Sequence, residues 1–202
     1  MIGALAPIAK LDVYLDLCCP FSKKMFMMIA GQVAPAYTEK ADASRSRVEF
    51  VVHHVPQPWH AQSSYMHEAC LAVKNVAGSQ KYLAYCVALF AVQEQFFDDA
   101  TIDKPRRAIY ADLAALAANY CGVDAAAVLA ELELTGPGNA GSKVTQALKW
   151  EVKHHRAQGV HVTPTVFLNG IEAVQIGSGW SLAEWTEFLG PPAVDGAVHP
   201  AS

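Results

Sequence analysis

Residues 11–24, LDVYLDLCCPFSKK, combine the two clearest structural patterns in the chain, a strand and a helix start. Apolar residues alternate with polar ones from Leu11 to Leu17, which is typical of a strand buried on one face. Pro20 suits the first turn of a helix, where its missing N–H costs nothing, and the apolar residues after it recur at roughly helical spacing. The sequence therefore predicts a half-buried strand that delivers Cys19 to the N-terminus of a helix.

Cys19 is the candidate nucleophile of the chain. At a helix N-terminus, unpaired backbone N–H groups and the positive end of the helix dipole favour a thiolate over a thiol. Cys18 ends the strand on its other side, and Cys70, Cys86 and Cys121 lie on apolar helical stripes that are typical of a protein core. We therefore expect Cys19 to be the most reactive of the five cysteines.

Two separate motifs resemble those of one known family. The turn Cys19-Pro20-Phe21-Ser22 resembles the active-site turn of the DsbA-like branch of the thioredoxin superfamily, and Gly159–Gly170, GVHVTPTVFLNG, resembles its cis-proline strand. The order of the two motifs also fits that family. The resemblance implies an α/β, thioredoxin-like fold with an inserted α-helical domain. It also implies a cis bond between Thr163 and Pro164, which would turn the Thr163 backbone towards Cys19, where an extended peptide or glutathione could pair with it.

The turn departs from the family at one position. Dithiol members carry a second cysteine where this chain has Ser22, whose hydroxyl can donate to the Cys19 thiolate but cannot attack a mixed disulfide. The resemblance therefore implies a thiol–disulfide oxidoreductase with a single active-site cysteine. An external thiol would resolve its mixed disulfide, with glutathione as co-substrate and no tightly bound cofactor.

Two alternative functions stay open. One is a kappa-class-like glutathione transferase or isomerase, a related family with the same helical insertion whose members typically carry serine at the Cys19 position. The other is a non-catalytic binding module that keeps the thioredoxin fold and uses its cleft for a partner. The presence of Cys19 disfavours the first, whereas the monothiol turn leaves the second open.

Helical patterns dominate the middle of the chain. Arg47–Val55 alternates as a second strand, and no strand pattern interrupts residues 63–158. Within that stretch, Gly78-Ser79 separates the first two predicted helices, and Gly122 stands where a helix-ending glycine belongs. The predicted helices are Ser64–Val76, Gln80–Phe97, Pro105–Cys121, Asp124–Leu132 and Gly141–Ala157. The helical insertion that the resemblance implies is thus expected from periodicity as well.

Two strands and a last helix are predicted after the insertion. Val160–Leu168 and Ala173–Ile176 are joined by Asn169-Gly170, the strongest short hairpin signal. Ser181, with Glu184 three residues later, forms a capping box at the start of the helix. The chain then divides into a thioredoxin-like N-terminal part (1–62), the helical insertion (63–158), a thioredoxin-like C-terminal part (159–190) and a flexible tail (191–202).

An aromatic residue and two histidines are further candidates for the site. The prolines of VPQPWH end the second strand and project Trp59 and His60 from an extended segment. We expect Trp59 to form an apolar wall, and His60 or His67 to donate to a bound carboxylate or to the thiolate. The predicted residues for binding substrate or glutathione are Pro20, Phe21, Trp59, His60, Thr163 and Pro164. The histidine spacing matches no zinc signature, so no metal site is predicted.

Composition restricts the broad class of the protein. Its 202 residues, 52% hydrophobic and 17% charged, are typical of a folded globular domain. A formal charge of −4 does not indicate the basic surface of a nucleic-acid-binding protein, and no apolar run reaches transmembrane length. The start, MIGALAPIAK, lacks the basic region of a secretory signal, and an odd number of cysteines suits a reducing compartment. We therefore expect a cytoplasmic protein that acts on glutathione or protein disulfides, with a homodimer left open.

Overall fold

The centre of the fold is a four-stranded sheet. The computed structural model describes residues 9–38 and 48–192, and its strands follow the order β2-β1-β3-β4. The strands are β1 (Ala9–Leu15), β2 (Val48–His54), β3 (Thr165–Leu168) and β4 (Ile171–Glu172). Strand β1 pairs in parallel with β2 and antiparallel with β3, so segments from opposite ends of the chain meet at the centre.

Helices make up most of the remaining described chain. They are α1 (Pro20–Met28), α2 (Ala34–Thr38), α3 (Ser63–Ala91), α4 (Asp98–Thr101), α5 (Arg106–Cys121), α6 (Ala125–Leu132), α7 (Thr145–Ala157) and α8 (Leu182–Leu189). A π-helical turn, Ile29–Val33, joins α1 to α2, and a 3₁₀ turn, Gln93–Phe96, precedes α4. None of these helices is long and apolar enough to cross a membrane.

The prediction that β1 is buried on one face only is wrong. Asp12 and Tyr14, expected on its solvent side, are buried like the apolar residues of the strand. Strand β1 lies between β2 and β3, and helix α7 lies against its polar face. There the Tyr14 hydroxyl is 3.1 Å from Nε2 of His154 on that helix. Asp12 is satisfied by His53 Nε2 at 2.7 Å. The alternation of polar and apolar residues therefore marks two different buried environments.

The first helix of the insertion reverses direction at Gly78. This glycine has φ 80° and ψ 179°, a conformation outside the helical region. The sulfurs of Cys70 and Cys86, eight residues before and after it, lie only 3.7 Å apart. A continuous helix would separate them by about 24 Å. The predicted break is thus confirmed, whereas the predicted helix Gln80–Phe97 is wrong beyond Ala91, where the chain enters the 3₁₀ turn and α4.

The hairpin after the insertion is confirmed, but its strands are shorter than predicted. Asn169 and Gly170 have φ values of 52° and 82°, the positive values that a two-residue hairpin turn requires. Strand β3 starts at Thr165 and not at Val160, since Pro164 has no N–H for the ladder. The tight turn places β4 directly after Gly170, so Ala173–Ile176 lies beyond the strand.

The sheet and the insertion share one apolar core. Buried side chains of β1 and α1 belong to the same contiguous cluster as those of α3, α5 and α6. The insertion is therefore packed onto the sheet and does not form a core of its own among the described residues. The four-part division of the chain stays a prediction; Arg47 and all but two residues of the predicted tail 191–202 lie outside the described residues.

The capping box of α8 yields a stability prediction. Ser181 Oγ accepts the N–H of Glu184 at 3.4 Å, and Glu184 Oε2 accepts the N–H of Ser181 at 2.7 Å. Replacing Ser181 by Ala should lower the free energy of unfolding by about 1 kcal/mol in urea titration, because one helix N–H loses its acceptor. Ser178→Ala, which removes a hydroxyl without a hydrogen bond among the described contacts, is the matched control. Equal effects of the two substitutions would contradict the capping assignment.

Candidate active site

The two motifs meet at the sulfur of Cys19. Cys19 caps α1 with φ −81° and ψ 123°, and Pro20 is the first helical residue. The thiol donates to the carbonyl oxygen of Thr163 at 3.5 Å, across 144 residues of sequence. The peptide bond between Thr163 and Pro164 is cis, as the resemblance implied. The sulfur thus lies at a helix N-terminus beside residues 159–164, the proline loop that precedes β3. Cys19 itself is only 7% exposed.

Ser22 is placed one turn after Cys19 but contacts the strand end. It is fully buried, and its hydroxyl oxygen accepts the N–H of Asp16 at 3.2 Å. The hydrogen bonds of the described residues include none between Ser22 and the sulfur of Cys19. In this structure the hydroxyl joins the end of β1 to the first turn of α1. This bond holds residues 18–22, the cysteine turn, in place.

Asp16 is the organising residue of the turn, and the sequence analysis gave it no role. Its fully buried carboxylate accepts the N–H of Cys18 at 3.0 Å and the N–H of Gln57 at 3.4 Å. It also accepts the Ser63 hydroxyl at 2.5 Å and lies 2.5 Å from Nδ1 of His60. The carboxylate therefore connects the cysteine turn, the loop after β2 and the start of α3.

The ionised form of Asp16 is strongly favoured. Burial by itself raises the pKa of this carboxyl, but the contacts with His67 and Ser63 and the Cys18 N–H outweigh it and lower the pKa to about 2. A local signal for this role was present in the sequence, because aspartate commonly accepts the backbone N–H two residues further on. The donors from Gln57, His60 and Ser63 come from distant segments and carry no such signal.

His60 and Trp59 lie on the loop after β2. His60 contacts Asp16 and lines a cavity of about 380 Å³ together with Pro20. Trp59 is 63% exposed, and its ring packs edge-on to that of His60 at 6.2 Å. The Gln57 side chain donates to the backbone of the proline loop, at the carbonyl of His161, so this loop and the proline loop are connected.

The expected ligand contact of His67 is wrong. The side chain is fully buried, and its Nδ1 lies 2.5 Å from Nδ1 of His54. His54 in turn contacts the Tyr82 hydroxyl at 2.9 Å, and burial holds the pKa of His54 low, at about 3. His67 thus belongs to an interior polar chain and cannot reach a ligand in the cleft. Across the described residues, no group of three or more potential ligands could hold a metal ion.

The other cysteines are buried and free. Burial raises the pKa of Cys18 to about 12, and Gln62 Nε2 donates to its sulfur at 3.2 Å. Burial also raises the pKa of Cys70, which faces Cys86, and that of Cys121. None of these cysteines is the N-cap of a helix, in contrast to Cys19, and Lys81 beside Cys121 does not outweigh the effect of burial there.

The insertion also holds the cysteine turn. Gln93, in the 3₁₀ turn after α3, donates to the carbonyls of Leu17 at 3.0 Å and Cys19 at 3.4 Å. Next to it, Glu94 pairs with Lys23 of α1 at 2.8 Å. Sequence analysis did not find Gln93, because its partners are more than 70 residues away and are backbone atoms, which carry no sequence pattern.

Comparison with known proteins gives the family. A family model described as Thioredoxin matches residues 1–188. The chain belongs to the thioredoxin family. Curated protein sequences gave no match to this thioredoxin-family chain.

Solved structures resemble this thioredoxin-family protein over nearly its whole length. A candidate protein-disulfide isomerase from Pseudomonas syringae is 24% identical, with 90% of this chain and 93% of that chain covered and a TM-score of 0.70. MdbA, a thiol-disulfide oxidoreductase from Corynebacterium diphtheriae, is 18% identical, with 93% and 86% covered and a TM-score of 0.63. Oxidised BdbD from Bacillus subtilis is 16% identical, with 90% and 85% covered and a TM-score of 0.65. The DsbA-like thioredoxin fold with a helical insertion is confirmed.

The lowered pKa of Asp16 makes stability depend on pH. The folded value of about 2 lies below the roughly 3.9 of an unfolded chain, so ionised Asp16 stabilises the fold fully above about pH 4. This contribution, about 2–3 kcal/mol, is lost as the pH falls from about 4 to 2. Asp16→Asn should therefore lower the free energy of unfolding by about 3 kcal/mol at pH 7.

Urea unfolding at pH 7, 4, 3 and 2.5 measures this effect. The gap between the parent protein and the Asp16→Asn variant should narrow by about 2 kcal/mol between pH 7 and pH 2.5, because the parent alone loses the ionised Asp16. Asp103→Asn, at an exposed carboxylate without a described ion pair, should leave the pH profile unchanged. A gap that stays constant with pH would show that ionised Asp16 does not stabilise the fold.

Proposed function

We propose that the protein is a thiol–disulfide oxidoreductase that uses Cys19 as its single redox-active residue and glutathione as its co-substrate. The observation that carries this proposal is the position of the Cys19 sulfur, at the N-terminus of α1 and 3.5 Å from the Thr163 carbonyl, with the Ser22 hydroxyl one turn away. The descriptions of structurally similar proteins as thiol-disulfide oxidoreductases support the same chemistry.

The proposed reaction has two exchange steps. In the first, the Cys19 thiolate attacks one sulfur of a substrate disulfide, a bond forms to that sulfur, and the other sulfur leaves as a thiolate. In the second, glutathione attacks the mixed disulfide and Cys19 leaves as the thiolate. The glutathione then carries the substrate sulfur as a mixed disulfide. When a second glutathione displaces that sulfur in a further exchange, one substrate disulfide has been reduced and two glutathione molecules have been oxidised to their disulfide.

An external thiol is needed because no internal one can reach the mixed disulfide. Ser22 offers a hydroxyl in place of the second thiol. Cys18 is adjacent in sequence, but its sulfur points away towards the carbonyl of Phe96 at 3.9 Å, and its pKa is raised to about 12. Cys70, Cys86 and Cys121 lie on helices of the insertion, within the apolar core that it shares with the sheet.

The surface around Cys19 suits an extended peptide or glutathione. Phe21, in the turn, and Trp59, next to His60, are both 63% exposed and would offer apolar contacts. Pro20 and Pro164 would restrict the approach to the sulfur, and the Thr163 backbone would pair with the ligand. We assign this chemistry to a reducing, cytoplasmic compartment, in which glutathione supplies the external thiol.

The first test of the proposal is selective alkylation. Iodoacetamide at pH 7 should modify Cys19 and leave the four other thiols of the native protein unmodified, because those four are buried and none is the N-cap of a helix. Mass spectrometry of peptides reports the site. The Cys18→Ser variant should still take up one label, whereas Cys19→Ser should take up none. First labelling of Cys70 or Cys121 would overturn the assignment of Cys19.

The second test separates a monothiol from a dithiol mechanism. After exposure to oxidised glutathione, the parent protein should retain one glutathione on Cys19, because Ser22 cannot displace it. The Ser22→Cys variant should release that glutathione and close a disulfide between Cys19 and the introduced thiol. Ser79→Cys adds an exposed thiol within the insertion and should leave the Cys19 adduct in place. Equal retention of glutathione at Cys19 in the parent and in Ser22→Cys would contradict the proposal that Ser22 prevents the internal release of glutathione.

A further inference from the structure

The contact between Asp16 and His60 determines which nitrogen of the histidine carries hydrogen. The Asp16 carboxylate is ionised and can only accept hydrogen bonds, so the hydrogen in the 2.5 Å contact belongs to Nδ1 of His60. In the neutral ring, the lone pair is therefore on Nε2. That nitrogen has no hydrogen-bond partner among the residues that the structure describes, and the side chain is 23% exposed.

The open nitrogen belongs to a residue that shares a cavity with the cysteine turn. His60 and Pro20, the residue directly after Cys19, line the same cavity of about 380 Å³. Its size lies within the range of sites that hold small molecules. Through its other nitrogen, His60 is held on the carboxylate that also binds the N–H of Cys18. Cys18 also lines this cavity, so a residue with a basic nitrogen shares it with both sequence neighbours of Cys19.

We propose that His60 is the general base that deprotonates the external thiol, and that Asp16 positions its ring and stabilises the imidazolium that forms. This inference rests on the proposed monothiol chemistry and assigns the proton transfer that this chemistry requires. A dithiol enzyme resolves its mixed disulfide with an internal thiol, whereas this chain must activate a thiol that arrives protonated from solution. The pairing of a buried carboxylate with an imidazole is a general solution to that problem.

The step is balanced in atoms and electrons. The hydrogen of the incoming glutathione thiol moves to Nε2 of His60, and the resulting thiolate attacks the glutathione sulfur of the mixed disulfide. A new bond forms between the two glutathione sulfurs, the bond to the Cys19 sulfur breaks, and its electron pair stays on Cys19. Glutathione is oxidised to its disulfide, Cys19 is reduced to the thiolate, and the imidazolium returns its proton to solvent.

The charged groups that neighbour His60 in the described structure are carboxylates. Asp16 lies at the end of β1, Asp98 and Asp99 of α4 line the same cavity, and Trp59 presents its ring edge-on. His67 of α3 also contacts Asp16, at 3.5 Å, but is fully buried. The described wall of the cavity thus carries two carboxylates, Asp98 and Asp99, and no lysine or arginine.

The experiment isolates the second exchange step. Cys19 is first loaded with glutathione by reaction with its disulfide, and release by reduced glutathione is then followed by mass spectrometry from pH 5.5 to 8.5. The key variant is His60→Asn, whose amide N–H can replace the Nδ1 hydrogen on Asp16 but has no basic nitrogen. Release at pH 7 should slow by up to about 30-fold, because without the base only about 3% of a thiol with a pKa of about 8.5 is ionised at that pH.

The pH profile distinguishes a base from a merely structural residue. Below a thiol pKa of about 8.5, attack by free thiolate falls roughly tenfold per pH unit. The parent protein should show a shallower dependence, because His60 removes the proton within the complex. The His60→Asn variant should return to the tenfold slope. His154→Asn, at an exposed histidine of α7, should keep the parent rate and slope.

Each outcome decides the inference. Equal release rates and equal slopes in the parent and the His60→Asn variant would overturn it and leave the Cys19 chemistry intact. Failure of the parent protein to load glutathione on Cys19 would instead reject the proposed function and this inference together. If His60→Asn does not fold, His60→Gln replaces it. The slope of the parent alone remains decisive, since a full tenfold slope there excludes a base.

Discussion

A buried carboxylate that must be satisfied is the constraint on which the site depends. An ionised group without solvent is tolerated only when donors surround it, and Asp16 obtains them from three parts of the chain. The cysteine turn, the loop after β2 and the first residues of α3 are therefore held at fixed positions relative to one another. The orientation of His60 and the backbone of Cys18 follow from this requirement.

The helical insertion contributes to the site as directly as the sheet does. Gln93 donates to the backbone on both sides of Cys18, and the insertion shares one apolar core with β1 and α1. Because the insertion cannot move without disturbing that core, the cysteine turn is held from two sides.

The thiol chemistry follows from where each cysteine lies relative to polar groups. Cys18 and Cys19 are neighbours in sequence, yet only Cys19 caps a helix, while Cys18 is enclosed by Gln62 and the Phe96 carbonyl. Burial raises the pKa of the Cys18 thiol to about 12. Two adjacent cysteines thus lie in different environments, because α1 begins directly after Cys19 whereas the sulfur of Cys18 contacts Gln62 and Phe96.

Local patterns in the sequence determined much of the fold. The hairpin at Asn169-Gly170, the capping box of Ser181 and the break at Gly78 each depend on one or two residues whose backbone preferences need no distant partner. The position of Cys19 at the N-terminus of a helix followed from its place between a strand and a proline. Such features are encoded locally, and a single sequence is sufficient to find them.

Only the tertiary structure decided what depends on distant partners. The burial of Asp12 and Tyr14 required α7 to cover β1, and the role of Asp16 required donors from residues more than 40 positions away. His60 and His67 are equally plausible ligands in the sequence, yet one faces a cavity and the other is enclosed by His54. The physical reason is that hydrogen bonding of buried polar groups is satisfied in space, by atoms whose sequence positions follow no period.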